Sequence, residues 1–285
     1  MLKCWKPLKI LSYGAGTPST TLALMACKNK LAGRPVHPLV PVYDFIIFCD
    51  LHAEPSWVYR QAAFVKAACR RAGIPYVTLD ADLYGDFTHN FGKARVSSIP
   101  AWTIGPDGAK GKMPRQCTCD YKIKVIDRFI RYKLLGLKSG QRAPKWNFAA
   151  HEMYMGIMAD EKRRAKPSKQ TLYKNVYPLV EMGWTRADCF RYNKETWGQE
   201  TWASSCVFCP FHTCYYFHYL WEHEPDAYDK ARLVDHLMEV NEAVPPLTSS
   251  LYLTKKHKRL YELAPEDCND AQTFLYDGRE IWNGF

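Results

Sequence analysis

Residues Leu11 to Thr20 read LSYGAGTPST and separate an apolar segment of strand length from an alanine- and leucine-rich segment of helical length. Gly14 and Gly16 can adopt positive φ and let backbone N–H groups approach a ligand without an intervening Cβ. Ser19 and Thr20 follow at the start of the helix, where unpaired N–H groups and the helix dipole favour an anion. The stretch therefore predicts a phosphate-binding turn, although similar turns occur in α/β proteins that bind nothing there.

The chain around this turn alternates between strand and helix patterns. Predicted strands cover residues 8–13, 42–50 and 75–79, and predicted helices cover residues 19–30 and 55–72. The order β, α, β, α, β with short connections predicts an α/β fold with a doubly wound parallel sheet of the Rossmann-like type. Ligands bind such sheets beyond the carboxyl ends of the strands, where the glycine turn and Asp50 would both lie.

The remaining segments are predicted from periodicity and turn residues. Residues 80–116 lack a regular period, and their length indicates a substrate loop with its own aromatic side chains. Further predictions are a basic amphipathic helix at 120–135, a polar linker at 138–145, a fourth strand at 151–158, an extended segment at 177–181, a capped helix at 185–197 and a helix at 215–240 broken at Pro225. Residues 1–200 are predicted to form an α/β domain and residues 201–285 a C-terminal, cysteine-containing helical region.

The composition limits the class of partner. The 285-residue chain has 39 Lys and Arg against 29 Asp and Glu, a formal net charge of +10. This excess favours an anionic partner, either a nucleic acid or a small phosphorylated molecule, although solubility alone is an alternative. No apolar segment approaches the roughly 20 residues that span a bilayer. The first residues, MLKCWKPLKILSYG, lack the apolar core and cleavage site of a signal peptide, so we expect a cytoplasmic location and no membrane partner.

Eleven cysteines in such a chain favour free thiols, a metal or a cluster over a disulfide framework. Cys27, Cys49 and Cys69 lie in apolar or helical segments and are interpreted as small core residues. Five further cysteines form two groups along the sequence. The first group contains Cys117 and Cys119, and the second contains Cys206, Cys209 and Cys214.

The spacing of Cys206 and Cys209 lets both thiolates reach one ion. Cys117 and Cys119 could complete a set of four thiolates from a distant loop. Alternative fourth ligands are Cys214 and His212. The residue types alone leave an iron–sulfur centre, a structural zinc and free thiols open.

Several separate motifs occur in one order along the chain. They are Ser12–Thr20 (SYGAGTPST), Phe48–Pro55 (FCDLHAEP), Arg115–Ile123 (RQCTCDYKI), Gly156–Ile157 followed by Asp160, Glu161 and Arg164, and Tyr177–Leu179 followed by Cys206–Phe211 (CVFCPF). In this combination the chain resembles the PP-loop, or adenine nucleotide α-hydrolase-like, superfamily, and within it the phosphoadenosine phosphosulfate reductase-like family. The resemblance covers about residues 8 to 225.

The resemblance implies that the protein binds ATP or a related adenine nucleotide. The phosphates would lie in the loop and the adenine near the end of the second strand. The implied nucleotide-binding residues are Ser12, Tyr13, Gly14, Ala15, Gly16, Ser19, Thr20, Asp50, Glu54, Gly156 and Glu161. The predicted domain of residues 1–200 would accordingly be a PP-loop nucleotide-binding domain.

The resemblance also implies a reaction at the α-phosphate. A substrate oxygen would attack it and pyrophosphate would leave, while backbone N–H groups and a basic side chain stabilise the developing charge. The catalytic candidates are Ser19, Asp50, Arg115, Lys122, Asp160 and Arg164. Many ATP-cleaving members have an Asp where this chain has Pro18, so Asp50 or Asp160 would have to supply the carboxylate for the expected Mg²⁺.

For the cysteines the resemblance implies a [4Fe-4S] cluster bound by Cys117, Cys119, Cys206 and Cys209. Sulfonucleotide reductases of the assimilatory type and DNA phosphorothioation enzymes combine this fold with such cysteines. The first pair here is C-x-C, whereas those reductases have adjacent cysteines. A cluster bound by Cys117, Cys206 and Cys209 alone would resemble that of some tRNA thiolation enzymes. Zn²⁺ is the alternative metal.

These observations predict an ATP-dependent, sulfurtransferase-like adenylating enzyme that releases pyrophosphate and acts in sulfur transfer or in modification of a nucleic acid, tRNA or DNA. A sulfur-donor protein would be a further partner. One alternative is a sulfonucleotide reductase. Such reductases use a cysteine in a C-terminal Glu-Cys-Gly-Leu-His segment, and Cys268 in PEDCND is a poor match whose acidic neighbours would raise its pKa. A second alternative is a non-catalytic nucleotide- or nucleic-acid-binding protein, which Pro18 favours.

Overall fold

A computed structural model describes residues 7–93, 99–141, 151–169, 172–241, 248–268, 273–276 and 279–282. The chain divides into two compact units made of interleaved segments. The first unit contains Met1–Cys49, Trp57–Leu79 and Ile126–Ser204, and the second contains Asp50–Ser56, Asp80–Val125 and Ser205–Phe285. The predicted boundary between a domain of residues 1–200 and a region of residues 201–285 stays a prediction.

The regular elements are numbered along the chain. The strands are β1 (Lys9–Tyr13), β2 (Phe45–Asp50), β3 (Tyr76–Asp80), β4 (Trp102–Ile104), β5 (Lys110–Lys112), β6 (His151–Met155), β7 (Tyr173–Val176), β8 (Ser250–Tyr252), β9 (Thr273–Tyr276) and β10 (Arg279–Trp282). The α-helices are α1 (Thr17–Ala32), α2 (Ser56–Ala72), α3 (Leu83–Asn90), α4 (Lys124–Arg128), α5 (Pro178–Glu181), α6 (Arg186–Trp197), α7 (Cys214–His223) and α8 (Pro225–Val240). π-Helical turns at Cys119–Ile123 and Phe129–Leu134 flank α4, and 3₁₀ turns cover Ala159–Arg164, Leu260–Glu262 and Pro265–Cys268.

A five-stranded parallel sheet in the order β3-β2-β1-β6-β7 forms the frame of the first unit. In the central strand β1, Tyr13 lies opposite Phe48 of β2, and Ser12 lies opposite Met155 of β6. Because parallel strands need crossover connections, this order agrees with the alternating pattern in the sequence. The predicted α/β fold with a parallel sheet is confirmed, and it is consistent with a Rossmann-like fold.

The core of the first unit surrounds α1. Leu22, Leu24 and Met25 of this helix are completely buried, as are Ile10 and Ile46 of the adjoining strands. The consecutive residues 19–27 of α1 are all buried, as expected for a helix segment that is apolar around its circumference, whereas Lys30, Leu31 and Ala32 at its end are exposed. The glycine turn therefore leads directly into a buried helix.

The second unit contains two small antiparallel sheets. One has the order β5-β4-β8, and β9 pairs with β10 in the other. The prediction of an irregular loop over residues 80–116 was wrong, since α3, β4 and β5 lie there. Asp82 caps α3 by accepting a hydrogen bond from the Gly85 N–H at 2.7 Å. β4 has only three residues and depends on pairing with the distant β8, which local periodicity does not reveal.

Other local predictions have mixed outcomes. The capped helix is confirmed, because Thr185 and Asp188 form a reciprocal capping box at the start of α6. The break at Pro225 is also confirmed, since α7 ends at His223 and α8 begins with the proline. The extended segment at 177–181 was wrong: Pro178 opens a helical turn, a position at which proline is favourable. The predicted linker lies partly outside the described residues.

Gly156 allows a close approach between the chain after β6 and the start of α1. A Cβ at this position would lie 2.5 Å from the Ser19 backbone nitrogen and 2.8 Å from its Cα. It would also lie 2.9 Å from the Pro18 carbonyl carbon. All three atoms belong to the backbone and cannot rotate away, so this packing requires glycine.

We expect Gly156→Ala to lower the free energy of unfolding by about 1–3 kcal/mol, the usual cost of overpacking a well-packed site. Chemical denaturation measures this. Gly14→Ala is the matched control, because its new Cβ would be 3.7 Å from the Ser204 Oγ, an ordinary contact, and its expected effect is within about 0.5 kcal/mol. Equal losses in the two variants would contradict the steric account.

Candidate functional site

The glycine turn is held in an unusual backbone conformation. Ala15, between the two glycines, has φ 56°, a value that alanine seldom adopts. Ala15 is completely buried, and its carbonyl oxygen accepts a hydrogen bond from Nε2 of Gln61 in α2. A side chain of a neighbouring helix therefore stabilises the turn.

Two backbone N–H groups of the glycine turn lack a hydrogen-bond partner among the described residues. Within the described part of the chain, the N–H groups of Ala15 and Gly16 have no hydrogen-bond partner. Both residues are buried and directly precede the 16-residue helix α1. N–H groups without partners at the start of a long helix suit an anion, because of their geometry and the helix dipole.

The hydroxyl groups of the turn have partners within it. Ser19 Oγ donates to the Gly16 carbonyl at 3.1 Å. The hydroxyls of Tyr13 and Thr20 are 3.2 Å apart, and Tyr13 also donates to the Gln61 carbonyl at 3.3 Å. Burial raises the pKa of Tyr13 above its usual range, so its hydroxyl stays protonated. Tyr13 and Thr20 thus stabilise the turn, whereas Ser19 lies at the helix start. Ser12 is half-buried.

A segment that the sequence analysis did not identify packs against the turn. Its residues, Thr201 to Ser204, are named the 201–204 segment. The Ser204 Oγ would be 2.8 Å from a Cβ added at Gly16, so the space left by this glycine is occupied by Ser204. Gln61 Nε2 donates to the Trp202 carbonyl at 3.2 Å, and the Trp202 N–H donates to Gln61 Oε1.

Further side chains fix the 201–204 segment in place. The indole N–H of Trp57 donates to the Ala203 carbonyl at 3.0 Å. Asn193 Nδ2 lies 3.1 Å from Thr201 Oγ1 and 3.3 Å from the carbonyl of Thr17, the first residue of α1. No sequence motif includes Trp57, Asn193 or Thr201, so only the tertiary structure shows that they support the turn.

The predicted residues after β6 have different positions. Gly156 lies against the backbone of Ser19, as described above. Glu161 and Arg164 form an ion pair with 2.7 Å between Oε1 and Nη1 in the 3₁₀ turn, and the Arg164 side chain is 53% exposed. Asp160 is exposed in the same turn. Within the first unit, Gly156 is thus the member of this motif that contacts the glycine turn.

In the second unit, Asp50 begins a cluster of polar side chains. Its Oδ1 accepts the N–H of His52 at 2.9 Å, and His52 has φ 57°. His52 Nε2 lies 3.0 Å from Asp80 Oδ1, and its Nδ1 lies 3.7 Å from Asp82 Oδ1. Sequence reasoning identified Asp50 but gave no role to His52, although the motif Phe48–Pro55 contains it, because Asp80 and Asp82 belong to no motif.

Glu54 carries a buried carboxylate in the second unit. Its side chain is fully inaccessible, and its two oxygens have no hydrogen-bond partner among the described residues. Lys122 Nζ is 3.8 Å from Oε1. Burial raises the pKa of Glu54, Lys122 opposes this effect, and Asp50 and Cys209 add to it. Two predicted site residues from distant parts of the sequence, Glu54 and Lys122, are therefore brought together.

Cys206 and Cys209 form a hydrogen-bonded thiol pair in a tight turn. The Cys209 N–H donates to the Cys206 carbonyl at 3.0 Å. The hydrogen bond from the Cys206 thiol lowers the pKa of Cys209, helped by Ser205, the Phe211 N–H and Arg115. The same bond raises the pKa of Cys206, as does its burial. Of the two thiols, Cys209 is therefore the one whose pKa lies below the ordinary cysteine value.

The other two predicted metal ligands differ in position. Cys117 is close enough to Cys206 to influence its pKa electrostatically, whereas Cys119 is exposed at the start of a π-helical turn. Across the described ranges no group of three or more Cys, His, Asp or Glu side chains is arranged to hold a metal ion. The Cys206–Cys209 pair suits a metal chemically, and Cys117 is the other predicted ligand close to it. The cysteine site stays a prediction.

The alternative ligands lie beyond the pair. The ring of His212 stacks on Tyr216 with 3.4 Å between centroids. Burial lowers the pKa of His212 to about 3, so the imidazole is neutral at physiological pH. Its Nε2 is 3.1 Å from the Cys206 carbonyl oxygen and therefore donates to it. Cys214 is buried as the first residue of α7.

The hairpin of β4 and β5 presents cations beside the Cys-Pro-Phe sequence. Lys112 Nζ lies 4.9 Å from the centre of the Phe211 ring, and the Arg115 guanidinium lies 5.9 Å from it. Trp102 Nε1 donates to the Pro210 carbonyl at 2.8 Å. The predicted catalytic Arg115 is exposed, and its charge contributes to the lowered pKa of Cys209.

Comparisons with known proteins add no identification. Neither the models of known protein families nor the curated proteins gave a match to this chain. Among the described residues, none of the helices combines the length and the apolar character needed to cross a membrane.

We expect Glu54→Gln to stabilise the ligand-free protein, and increasingly so as the pH rises. A raised pKa means that folded Glu54 retains its proton in a range where the unfolded chain releases it, so stability falls as the pH rises above the ordinary glutamate pKa. Glutamine removes this dependence. Unfolding midpoints at pH 5 and pH 8 measure the difference.

The matched control is Glu195→Gln, which changes an exposed glutamate in α6 and should give no pH-dependent gain. A gain for Glu54→Gln that is equal at both pH values, or a loss at pH 8, would contradict the assignment of an unsatisfied buried carboxylate.

Proposed function

We propose that the protein is an ATP-dependent enzyme of the PP-loop type that adenylates a substrate oxygen and releases pyrophosphate. The observation that carries the proposal is the glycine turn, in which the N–H groups of Ala15 and Gly16 lack partners within the described chain and precede a long buried helix. This arrangement suits a phosphate group. The ordered set of family motifs supports adenine nucleotides as the ligand class.

The residues of the turn have distinct roles in this proposal. The backbone N–H groups and the start of α1 bind the phosphates and stabilise the charge that develops at the α-phosphate. Ser19 donates to the Gly16 carbonyl in the ligand-free structure and would turn toward a bound phosphate oxygen. Since Pro18 brings no carboxylate, Asp50 or Asp160 would bind Mg²⁺, which neutralises phosphate charge when present.

A nucleic acid, tRNA or DNA, is the proposed acceptor. The net charge of +10 favours a polyanionic partner. In the second unit, Lys110 and Lys112 are exposed on β5, and Lys112 lies 5.4 Å from the ring centre of Trp102. Cations next to aromatic rings suit single-stranded bases and their phosphates. A sulfur-donor protein is the further proposed partner.

For the cysteines we propose a [4Fe-4S] cluster, with Zn²⁺ as the alternative. The contact between Cys206 and Cys209, with Cys117 close by, supports this proposal. Anaerobic purification with iron and zinc analysis distinguishes the two metals from free thiols.

Purified protein is expected to release pyrophosphate and AMP from ATP when the correct nucleic acid is added. Ser19→Ala should slow this release about 100-fold, the usual effect of removing one donor to a transition-state oxyanion. Ser250→Ala, a serine deletion in β8, is the control and should keep the rate. A coupled pyrophosphate assay over pools of tRNA and DNA measures all three proteins.

Two outcomes would contradict the proposal. ATP binding without turnover, unchanged in Ser19→Ala, would favour the non-catalytic binding protein. Thiol-dependent release of sulfite from a phosphosulfate nucleotide would favour the reductase.

A further inference from the structure

We infer that Ser204 contacts the phosphate of the bound nucleotide, as a hydroxyl donor that a remote segment of the chain supplies to the glycine turn. This inference rests on the proposed nucleotide site and deepens it. It requires that Ser204 face the turn, that its hydroxyl be available, that its position be fixed and that the turn need another donor.

Ser204 faces the turn at the positions that lack side chains. Its Oγ would be 2.8 Å from a Cβ at Gly16 and 3.7 Å from one at Gly14. Its backbone nitrogen would be 3.3 Å from the same Gly16 position. Because both positions are glycines, Ser204 can lie directly against the turn that carries the Ala15 and Gly16 N–H groups.

The Ser204 hydroxyl has no competing partner in the part of the chain that the structure describes. The residue is half-buried, so its hydroxyl is accessible to a ligand but partly shielded from solvent. By contrast, the hydroxyls of Ser19, Thr20 and Tyr13 all contact other groups of the turn or its support.

The position of Ser204 is coupled to the shape of the turn by one side chain. Gln61 donates to the Ala15 carbonyl and to the Trp202 carbonyl, and it accepts the Trp202 N–H. Trp57 holds the Ala203 carbonyl next to Ser204. A donor fixed in advance in this way contributes to binding without a large cost in conformational entropy.

Pro18 gives a physical reason for a donor from outside the turn. It occupies the second position of α1 and has no backbone N–H, so the first helical turn has one donor fewer than usual. The Ser204 hydroxyl, beside Gly14 and Gly16, can supply a donor in place of the N–H group that Pro18 lacks. Ser204 would thus compensate for the departure from the family pattern at Pro18.

Calorimetric titrations of wild type and Ser204→Ala with ATP, AMP and adenosine test the inference. The variant should bind ATP and AMP about 10-fold more weakly, which is typical for loss of one hydrogen bond to a charged group. Adenosine, which has no phosphate, should bind both proteins equally. Ser250→Ala is the control and should match wild type throughout.

The outcomes separate the two proposals. If wild type binds no ATP, the proposed function and the inference both fail. If wild type binds ATP and Ser204→Ala binds it equally well, the inference alone is overturned. An equal loss of affinity for adenosine would likewise overturn it, since that loss would show a general structural effect.

A second measurement checks the placement without a ligand. Gly16→Ala should destabilise the protein, and Ser204→Gly should reduce that destabilisation because it removes the Oγ at 2.8 Å. Chemical denaturation of the two single variants and the double variant gives the coupling. Strict additivity would overturn the placement of Ser204 over Gly16.

Discussion

The hydrogen bond from the Gln61 side chain to the Ala15 carbonyl supports the conformation of the glycine turn. Alanine in the left-handed region costs about 1–2 kcal/mol, so such a residue persists only where its surroundings hold it. Gln61 meets this condition from α2 and also bonds to Trp202. One side chain therefore constrains the peptide between Ala15 and Gly16, which carries the Gly16 N–H group, and also the position of the 201–204 segment.

Both candidate sites contain polar groups that have no hydrogen-bond partner among the described residues. In the first unit these are two backbone donors of the glycine turn, and in the second unit they are the carboxylate oxygens of Glu54. Leaving such groups unsatisfied lowers stability, and proteins tolerate this where a ligand later completes the set. Such groups are consistent with the proposed ligand sites.

Local sequence signals were sufficient for the frame of the fold. Alternating apolar segments, the Thr185 cap and Pro225 each act through neighbours a few residues away, so they could be predicted. The pairing of β4 with β8 could not, because Trp102 and Tyr252 are joined only by the tertiary structure.

The candidate site, like the fold, could be predicted only where local sequence motifs mark its residues. Motifs identified the glycine turn, Glu54 and the Cys206–Cys209 pair. They could not reveal that Gln61 and Ser204 support or face the turn, because both are common polar residues brought there by the fold. Nor could spacing show that Cys119 is exposed.

The central claim is that the glycine turn binds nucleotide phosphate. A crystal structure with a non-hydrolysable ATP analogue tests it most directly. The account predicts phosphate oxygens within about 2.7–3.2 Å of the Ala15 and Gly16 nitrogens, the usual range for N–H···O hydrogen bonds. A saturated crystal in which the triphosphate lies away from the turn, or in which no analogue binds, would contradict it.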